Sequence, residues 1–386
     1  MTRTIFVTGG SGYIGSYVVD HLLRDTDLRL AILIRAEDRA QAESKLWRGL
    51  QMHVDAPRFW GMVDRIDFVL GDLTAPRLGI EPGAYDRLVR SAESVIHLAA
   101  SLNRKSERAC MNTNLRGTLA VLKMARDVAE HHGLRRFSHV STVAVAGERH
   151  SEVVQEDEAI DWNRRDYDPY ARTKKLTEHM VRELLPDTPI TIFRPSIAMG
   201  DSTHPETSAF DMVQATCMLA DMPVLGMRDD IRVDIVNTDW VGRAIATIHQ
   251  KPEPTWDCYH LSGGTASNTT GEIARAISDA LGRRRTHFVP ALGPAFVAAI
   301  RGINALPGRS AVTYVGALMK VFWPYITFDT VFDNGRAVEE LGEAPTPFVE
   351  YCPPLYRWAK EHGYRYPHRA LPERPMTVTV PSEIHA

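Results

Sequence analysis

The chain has 386 residues, of which 44% are hydrophobic and 24% are charged, fractions close to those of globular proteins. This composition excludes collagen-like, coiled-coil and disordered proteins, and the length predicts two or three folding units. Lys and Arg total 45 and Asp and Glu total 48, so the net charge of -3 gives no basic excess for binding nucleic acid.

The cysteines and the chain start indicate the cellular compartment. The four cysteines are far apart, and no His-Glu-x-x-His motif occurs, so neither a redox pair nor a metal site is expected. The N-terminal residues lack the features of a secretion signal, and no apolar stretch reaches the ~20 residues of a membrane helix. We therefore expect a cytoplasmic protein with reduced thiols and no membrane span.

Short apolar runs alternate with longer amphipathic stretches in the first half of the chain. The runs predict strands at Thr4–Thr8, Arg29–Ile34, Ile66–Leu70, Ser94–Leu98, Arg136–Val140 and Ile190–Phe193. The stretches predict helices at Tyr13–Leu23, Asp38–Leu50, Gly83–Arg90, Met111–His131 and Tyr170–Leu184. Helices of crossover length between strands favour a parallel sheet. The predicted fold class is α/β, a Rossmann-type doubly wound parallel sheet.

The alternation breaks down after Pro195. Strands at Asp234–Val236 and Cys258–Leu261, with a helix at Asp239–His249 between them, are predicted to return to the sheet. The remaining segments predict a smaller, discontinuous C-terminal substrate-binding lobe. The predicted division is 1–195 plus about 233–261 for the Rossmann-type domain, about 196–232 plus 262–366 for the lobe, and 367–386 for an extended, proline-rich tail.

A glycine-rich loop follows the first predicted strand directly. Its sequence is Thr8-Gly9-Gly10-Ser11-Gly12-Tyr13-Ile14-Gly15, and an apolar-periodic helix comes next. Gly9 permits a tight turn, Gly12 lets the backbone approach a pyrophosphate, and Gly15 lets the helix pack closely on the strand. The helix N-terminus offers N–H groups to the anion. This context predicts a dinucleotide site rather than an ordinary glycine turn.

The end of the second strand bears on cofactor choice. Enzymes that bind NAD usually carry an acidic residue there for the ribose 2′-hydroxyl, whereas this chain has Arg35. A guanidinium pairs with a 2′-phosphate, so NADP(H) is favoured over NAD(H). Glu37 and Asp38 are the alternative acceptors for a hydroxyl. Asp72, at the end of the third strand, is predicted to lie beside the adenine amino group.

Tyr170 and Lys174 are four residues apart at the start of a predicted helix, so they share one helical face. A nearby ammonium favours the phenolate, which lets Tyr170 act as a general acid or base. The strand Arg136–Val140 delivers two hydroxyls to the carboxyl edge of the sheet. We expect Thr142 to bind the substrate oxygen, with Ser141 as the alternative, because strand alternation sends only one of them inward.

Taken in order, the motifs make the chain resemble an extended short-chain dehydrogenase/reductase over about residues 3–261. They are TGGSGYIG, GDL, HLAA, NTNLRGT, VSTVAVAG, YARTK and FRPS. Leu33–Ala36, Gly71–Gly79, Thr142 and Val233–Asn237 are most similar to the thioester reductase and fatty acyl-CoA reductase branch.

The resemblance implies roles for individual residues. It implies a catalytic triad of Thr142, Tyr170 and Lys174, in which Lys174 also holds the nicotinamide ribose and Asn114 supports the lysine. The cofactor-binding residues it implies are Gly9, Ser11, Gly12, Tyr13, Ile14, Gly15, Arg35, Asp72, Leu73, Ala99, Tyr170, Lys174 and Pro195.

The expected function is NADPH-dependent hydride transfer to a carbonyl, that of an acyl thioester reduced to aldehyde or alcohol. No phosphopantetheine attachment motif accompanies the chain, so an acyl carrier protein is expected to arrive in trans unless the thioester is a CoA ester. The alternatives are a ketoreductase or secondary-alcohol dehydrogenase, then a nucleotide-sugar epimerase or dehydratase, and, from a different class, a non-enzymatic NADP-sensing protein. The resemblance also suggests a homodimer.

Overall fold

The structure is a computed structural model that describes residues 4–24, 26–305 and 311–375. Within these ranges, seven strands form one parallel sheet in the order β3-β2-β1-β4-β5-β7-β11, and the others form two-stranded pairs. The strands are β1 (Thr4–Thr8), β2 (Arg29–Ile34), β3 (Ile66–Leu70), β4 (Ala92–His97), β5 (Arg136–Val140), β6 (Val153–Val154), β7 (Ile190–Pro195), β8 (Ile197–Ala198), β9 (Val224–Leu225), β10 (Ile235–Val236), β11 (Cys258–Leu261), β12 (His287–Phe288) and β13 (Val331–Phe332). The predicted parallel doubly wound sheet is confirmed.

The predicted helices of the first half are present, with shifts of one or two residues at most of their ends. The stretch predicted as one helix from Met111 is π-helical over Met111–Arg116 before the α-helix begins, and α3 had no predicted counterpart. The helices are α1 (Tyr13–Arg24), α2 (Arg39–Leu50), α3 (Ala56–Val63), α4 (Pro82–Ser91), α5 (Glu107–Cys110), α6 (Gly117–His132), α7 (Pro169–Leu184), α8 (Phe210–Asp221), α9 (Thr238–Gln250), α10 (Thr270–Ala280), α11 (Gly293–Ala305), α12 (Ala311–Thr327), α13 (Gly335–Leu341) and α14 (Phe348–Glu361).

Helices cover both faces of the sheet because its strands are apolar on both sides. One buried cluster joins the strands to α1, α2 and α9 through Leu22, Leu46 and Val241. The opposite cluster joins them to α4, α6 and α7, with Val121 and Val181 among its members. The carboxyl ends of β1, β2, β4 and β5 therefore open onto a shared edge between the two helical layers, where open α/β sheets bind ligands.

A separate apolar core lies beyond this edge and forms the smaller lobe. It draws on α8, α10 and α14 through residues such as Val213, Ile277 and Leu355. The strand Ile235–Val236 was predicted to return to the main sheet, and that prediction is wrong, since it pairs with β8 outside the sheet. The neighbouring Asp234 carboxylate accepts hydrogen bonds from the backbones of Gly263 and Phe332, which holds this strand between sheet and lobe. The predicted domain limits stay predictions.

Residues 367–375 have no helix or strand and lie against α2 and α3. The Trp47 indole N–H of α2 donates to the Ala370 carbonyl at 2.9 Å, and that of Trp60 in α3 donates to the Glu373 carbonyl at 3.1 Å. The rest of the predicted tail, 376–386, lies outside the described residues. In the described part of the chain, every helix is too short or too polar to cross a bilayer.

Candidate active site

A cavity of about 1140 Å³ lies between the carboxyl edge of the sheet and the lobe. Every predicted cofactor-binding residue lines it, and so does Thr142. Asn114 is the one predicted site residue absent from the described lining. Single ligand sites are typically ~300–1,000 Å³, so this cavity lies at the upper end of their size range.

The glycine-rich loop forms one end of the cavity. Gly9 has a φ of 78°, and a Cβ there would lie 2.6 Å from the Ala99 backbone nitrogen. A Cβ on Gly15 would lie 2.0 Å from the Gly9 carbonyl oxygen, so α1 starts in direct contact with the turn. On Gly12, by contrast, a Cβ would meet only the Gly9 carbonyl, at 3.2 Å. The loop therefore leaves cavity space in front of the N-terminus of α1, and these residues fit the pyrophosphate of a dinucleotide.

The ends of β2 and β3 place Arg35 and Asp72 together at the rim. The Arg35 guanidinium is 3.8 Å from the Asp72 carboxylate, and its side chain is 82% exposed, so the pair is loose. Hydrogen bonds from the Thr74 backbone and hydroxyl lower the Asp72 pKa, with a further contribution from Arg35. The alternative acceptor Asp38 caps α2 by accepting from the Gln41 N–H at 2.8 Å. Arg35, unlike Asp38, lies in the cavity lining.

Helix α7 presents Tyr170 and Lys174 to the cavity one turn apart. The helix begins at Pro169 because Asp168 caps it, accepting from the Ala171 N–H at 2.8 Å. Lys174 is fully buried, and its ammonium donates to the Val140 carbonyl at the end of β5 at 2.7 Å. Burial lowers the pKa of Lys174 to about 8, although the Glu178 carboxylate opposes this shift.

The Tyr170 phenol is buried beside the two hydroxyls that follow β5. Burial raises the pKa of Tyr170, and the Arg104 charge and a hydrogen bond with Thr142 oppose it. The Thr142 hydroxyl also accepts from the Ala144 N–H at 3.2 Å. Ser141 lines the cavity too, and its hydroxyl has no hydrogen-bond partner among the described residues. Both hydroxyls thus reach the cavity, and it is Thr142 that pairs with the phenol.

Asn114 lies in the π-helical turn before α6. Its side-chain carbonyl accepts from the Ser101 N–H at 2.7 Å, and its amide nitrogen donates to the Thr173 hydroxyl at 3.1 Å. These contacts tie the loop after β4 to α7, next to Lys174 in sequence. The predicted support of the lysine stays a prediction.

Two residues near the site, His97 and Arg104, were assigned no role from the sequence. His97 ends β4, where its ring bonds the hydroxyls of Thr8 (2.6 Å) and Thr118 (2.9 Å), and burial lowers its pKa to about 3. Arg104 lies in the loop after β4 and contacts Asp168 and Tyr325. The Asp-Pro pair before Tyr170 is a recognisable helix-start signal, but no local pattern distinguishes Arg104.

Part of the cavity lining is apolar. Lobe side chains supply Phe210, Met212, Leu318, Phe322 and Phe328 to it. One cavity is therefore lined by an anion-binding turn, by the Tyr170 phenol and by an apolar surface. In the described residues, no group of three or more His, Cys, Asp or Glu is placed to hold a metal ion.

The doubly wound sheet, the glycine-rich turn and the tyrosine–lysine helix define an extended short-chain dehydrogenase/reductase, and the predicted resemblance is confirmed. The family model of the male sterility protein, an NAD-binding family, matches residues 7–245. The chain belongs to this family.

Individual relatives share the fold at low identity. The glycine betaine reductase ATRR of Emericella nidulans is 23% identical over 282 residues, covering 69% of this chain and 21% of the relative. The fatty acyl-CoA reductase wat of Drosophila melanogaster is 25% identical over 250 residues, covering 56% and 46%. The chain thus spans about a fifth of the length of the glycine betaine reductase and less than half of the length of the fatty acyl-CoA reductase. The terminal R domain from the myxalamid PKS-NRPS biosynthetic pathway superimposes with a TM-score of 0.78 at 20% identity, covering 94% of this chain and 92% of that domain.

Proposed function

We propose that the chain is an NADPH-dependent oxidoreductase that transfers a hydride to the carbonyl of an acyl thioester, giving an aldehyde or an alcohol. The thioester is carried by CoA or by an acyl carrier protein in trans. The observation that carries the proposal is that one cavity is lined by Tyr170 and Lys174, by the glycine-rich turn and by apolar side chains of the lobe. Relatives named as a glycine betaine reductase and a fatty acyl-CoA reductase support carbonyl reduction.

Thr142 and Tyr170 have different roles at the reacting carbonyl. Bound NADPH supplies the hydride, which adds to the carbonyl carbon. Thr142 and Tyr170 donate hydrogen bonds to the carbonyl oxygen, and Tyr170 gives its proton to that oxygen as negative charge develops there. With a thioester, the product of this step is a hemithioacetal. It collapses to an aldehyde and a free thiol when the C–S bond breaks and the hydroxyl proton is transferred to the departing sulfur. Formation of the alcohol would require a second equivalent of NADPH.

Lys174 and Arg35 are assigned to cofactor binding. The buried Lys174 ammonium is held at the end of β5, where it can donate to the nicotinamide ribose. The exposed Arg35 guanidinium is only loosely paired with Asp72, so it is available to a 2′-phosphate. The cap formed by Asp38 removes one acceptor that a free 2′-hydroxyl would use. These contacts support NADP(H) over NAD(H).

The test is a product analysis with purified protein and NADPH. Octanoyl-CoA, octanal and a β-ketoester are supplied separately, and NADPH oxidation, thiol release and product mass are recorded. Thiol release with octanal or octanol as product is the expected result. Turnover of the β-ketoester without thiol release from octanoyl-CoA would instead identify a ketoreductase.

Two variants separate chemistry from folding in that assay. Tyr170→Phe removes the proton donor and is expected to lower kcat by roughly 10²–10⁴-fold. Tyr85→Phe is the matched control, because this buried tyrosine bonds Asp127 at 2.6 Å and lies outside the cavity lining. Full turnover by Tyr170→Phe would overturn the proposal.

A further inference from the structure

Arg104 lies over the Tyr170 ring at the junction of sheet and lobe. The centre of its guanidinium is 4.6 Å from the centroid of the Tyr170 ring, a cation–π distance. One guanidinium nitrogen donates to the Asp168 carboxylate at 2.8 Å and to the Tyr325 hydroxyl at 2.7 Å. The side chain is 19% exposed. Arg104 therefore contacts both the start of the catalytic helix α7 and α12 of the lobe.

The loop that carries Arg104 is fixed on both sides of this residue. Asn114 bonds the Ser101 N–H and carbonyl, and the Cys110 thiol donates to the Asn103 carbonyl at 3.3 Å. On the lobe side, the Tyr325 ring stacks on Tyr167 with centroids 4.6 Å apart. The guanidinium is thus held by fixed partners instead of moving freely in solvent.

The charged and titratable groups around the phenol come from several elements. They are Arg104 from the loop after β4, Cys110 from α5, Asp168 from the cap of α7, and Tyr325 from α12, with the hydroxyl of Thr142 after β5. The Asp168 carboxylate partly offsets Arg104, but the guanidinium lies over the ring at 4.6 Å, and its charge lowers the Tyr170 pKa more than the Asp168 charge raises it. The combined effect of the ion pair on Tyr170 therefore favours the phenolate.

We propose that Arg104 is a positioning residue that stabilises the phenolate left on Tyr170 after proton donation. The inference rests on the proposed function, in which the Tyr170 O–H bond breaks and its proton moves to the substrate oxygen. The electron pair of that bond stays on the phenol oxygen, and its negative charge is stabilised by the hydrogen bond with Thr142 and by the guanidinium over the ring. Arg104 also links this step to the lobe, because the same nitrogen bonds Tyr325.

The test measures the ionisation of residue 170 directly and needs no substrate. A fluorinated tyrosine of low phenol pKa is placed at position 170, and its fluorine NMR shift is followed against pH. Arg104→Gln is expected to raise the titration midpoint by roughly one pH unit or more, because an opposite charge within ~4–6 Å is lost. Arg104→Lys should restore much of the shift.

Two further variants exclude a merely structural role. Tyr325→Phe removes the bond to the lobe but keeps the guanidinium over the ring, so the midpoint should stay at the wild-type value. Asp168→Asn keeps an oxygen to cap α7 and removes the negative charge, so the midpoint should fall. An unchanged midpoint in Arg104→Gln, or an equal rise in Tyr325→Phe, would overturn the proposal.

The outcome is distinguishable from failure of the proposed function. If octanoyl-CoA, octanal and the β-ketoester are all inert with wild type while the midpoint rises in Arg104→Gln, the reductase assignment fails and the electrostatic role stands. If wild type turns over and the midpoint does not move, the role of Arg104 fails alone. In an active enzyme, Arg104→Gln should also lower kcat by up to about tenfold with an unchanged KM for NADPH, because a rise of one unit in the pKa of the proton donor weakens it by that factor at most.

Discussion

Replacing Lys174 with methionine tests whether its buried ammonium destabilises the fold at neutral pH. Methionine has a similar length and fills the site without a charge. Burial lowers the pKa of Lys174 from 10.5 to about 8. The unfolded chain therefore binds more protons than the folded one between these two values, and the free energy of unfolding rises with pH across that window.

The size of the effect follows from the shift. A difference between 10.5 and about 8 corresponds to about 3 kcal/mol in total. Of this, about 2 kcal/mol is gained between about pH 7.5 and about pH 9.5. Lys174→Met should lose this increment, so the difference between wild-type and variant unfolding free energies should change by that amount over the same range.

The assay is urea unfolding of both proteins at the two pH values. Lys175→Met is the matched control, since Lys175 is buried next to Lys174 and pairs with Asp166 at 2.7 Å. That variant keeps Lys174 and should therefore keep the wild-type increment, whatever its overall loss of stability. The same pH increment in wild type and Lys174→Met would refute the reasoning.

The remaining predictions concern the glycine turn, the cofactor rim and a buried ion pair. Gly15→Ala places a Cβ 2.0 Å from the Gly9 carbonyl. We expect the free energy of unfolding to fall by roughly 1–3 kcal/mol or more and NADPH to give no thermal stabilisation. Melting curves identical to those of wild type, with and without NADPH, would contradict this. Arg35→Asp should raise KM for NADPH at least about tenfold while changing KM for NADH little, and equal changes would argue against a role at the 2′-phosphate. Glu178→Gln removes the counter-charge of the buried Arg194, which is paired with Glu178 at 2.7 Å. Urea unfolding should show that the free energy of unfolding falls by roughly 3–5 kcal/mol. A fall below about 1 kcal/mol would be inconsistent with this.

The sheet could be predicted because its strands are short apolar runs bounded by polar residues. Five of the predicted strands, among them Thr4–Thr8 and Arg136–Val140, have the predicted limits. Helix α7 was equally accessible, since Pro169 and the apolar periodicity after it are local signals. By contrast, Ile235–Val236 is apolar like a sheet strand, and only its long-range pairing with β8 decides where it lies.

The candidate site divides along the same line. Gly9, Gly15, Tyr170 and Lys174 belong to motifs with fixed spacing, so the chain itself brings them to the cavity. Arg104 could not be found in this way, because its partners Asp168 and Tyr325 are 64 and 221 residues away along the chain. From the sequence alone, a guanidinium in a loop is expected to be exposed, and only the long-range bonds to Asp168 and Tyr325 hold this one over the phenol.

The contacts of residues 367–375 with Trp47 and Trp60 restrict how the lobe can move. Residues 367–375 follow α14 of the lobe and form hydrogen bonds with α2 and α3 of the sheet domain. If the lobe moves away to open the cavity, either α2 and α3 must move with it or segment 367–375 must detach from the two indoles. Arg369 lies over the Trp47 ring and Arg374 over the Trp60 ring. If segment 367–375 detached, water would reach both rings and their fluorescence emission would shift, so the two tryptophans would report the opening.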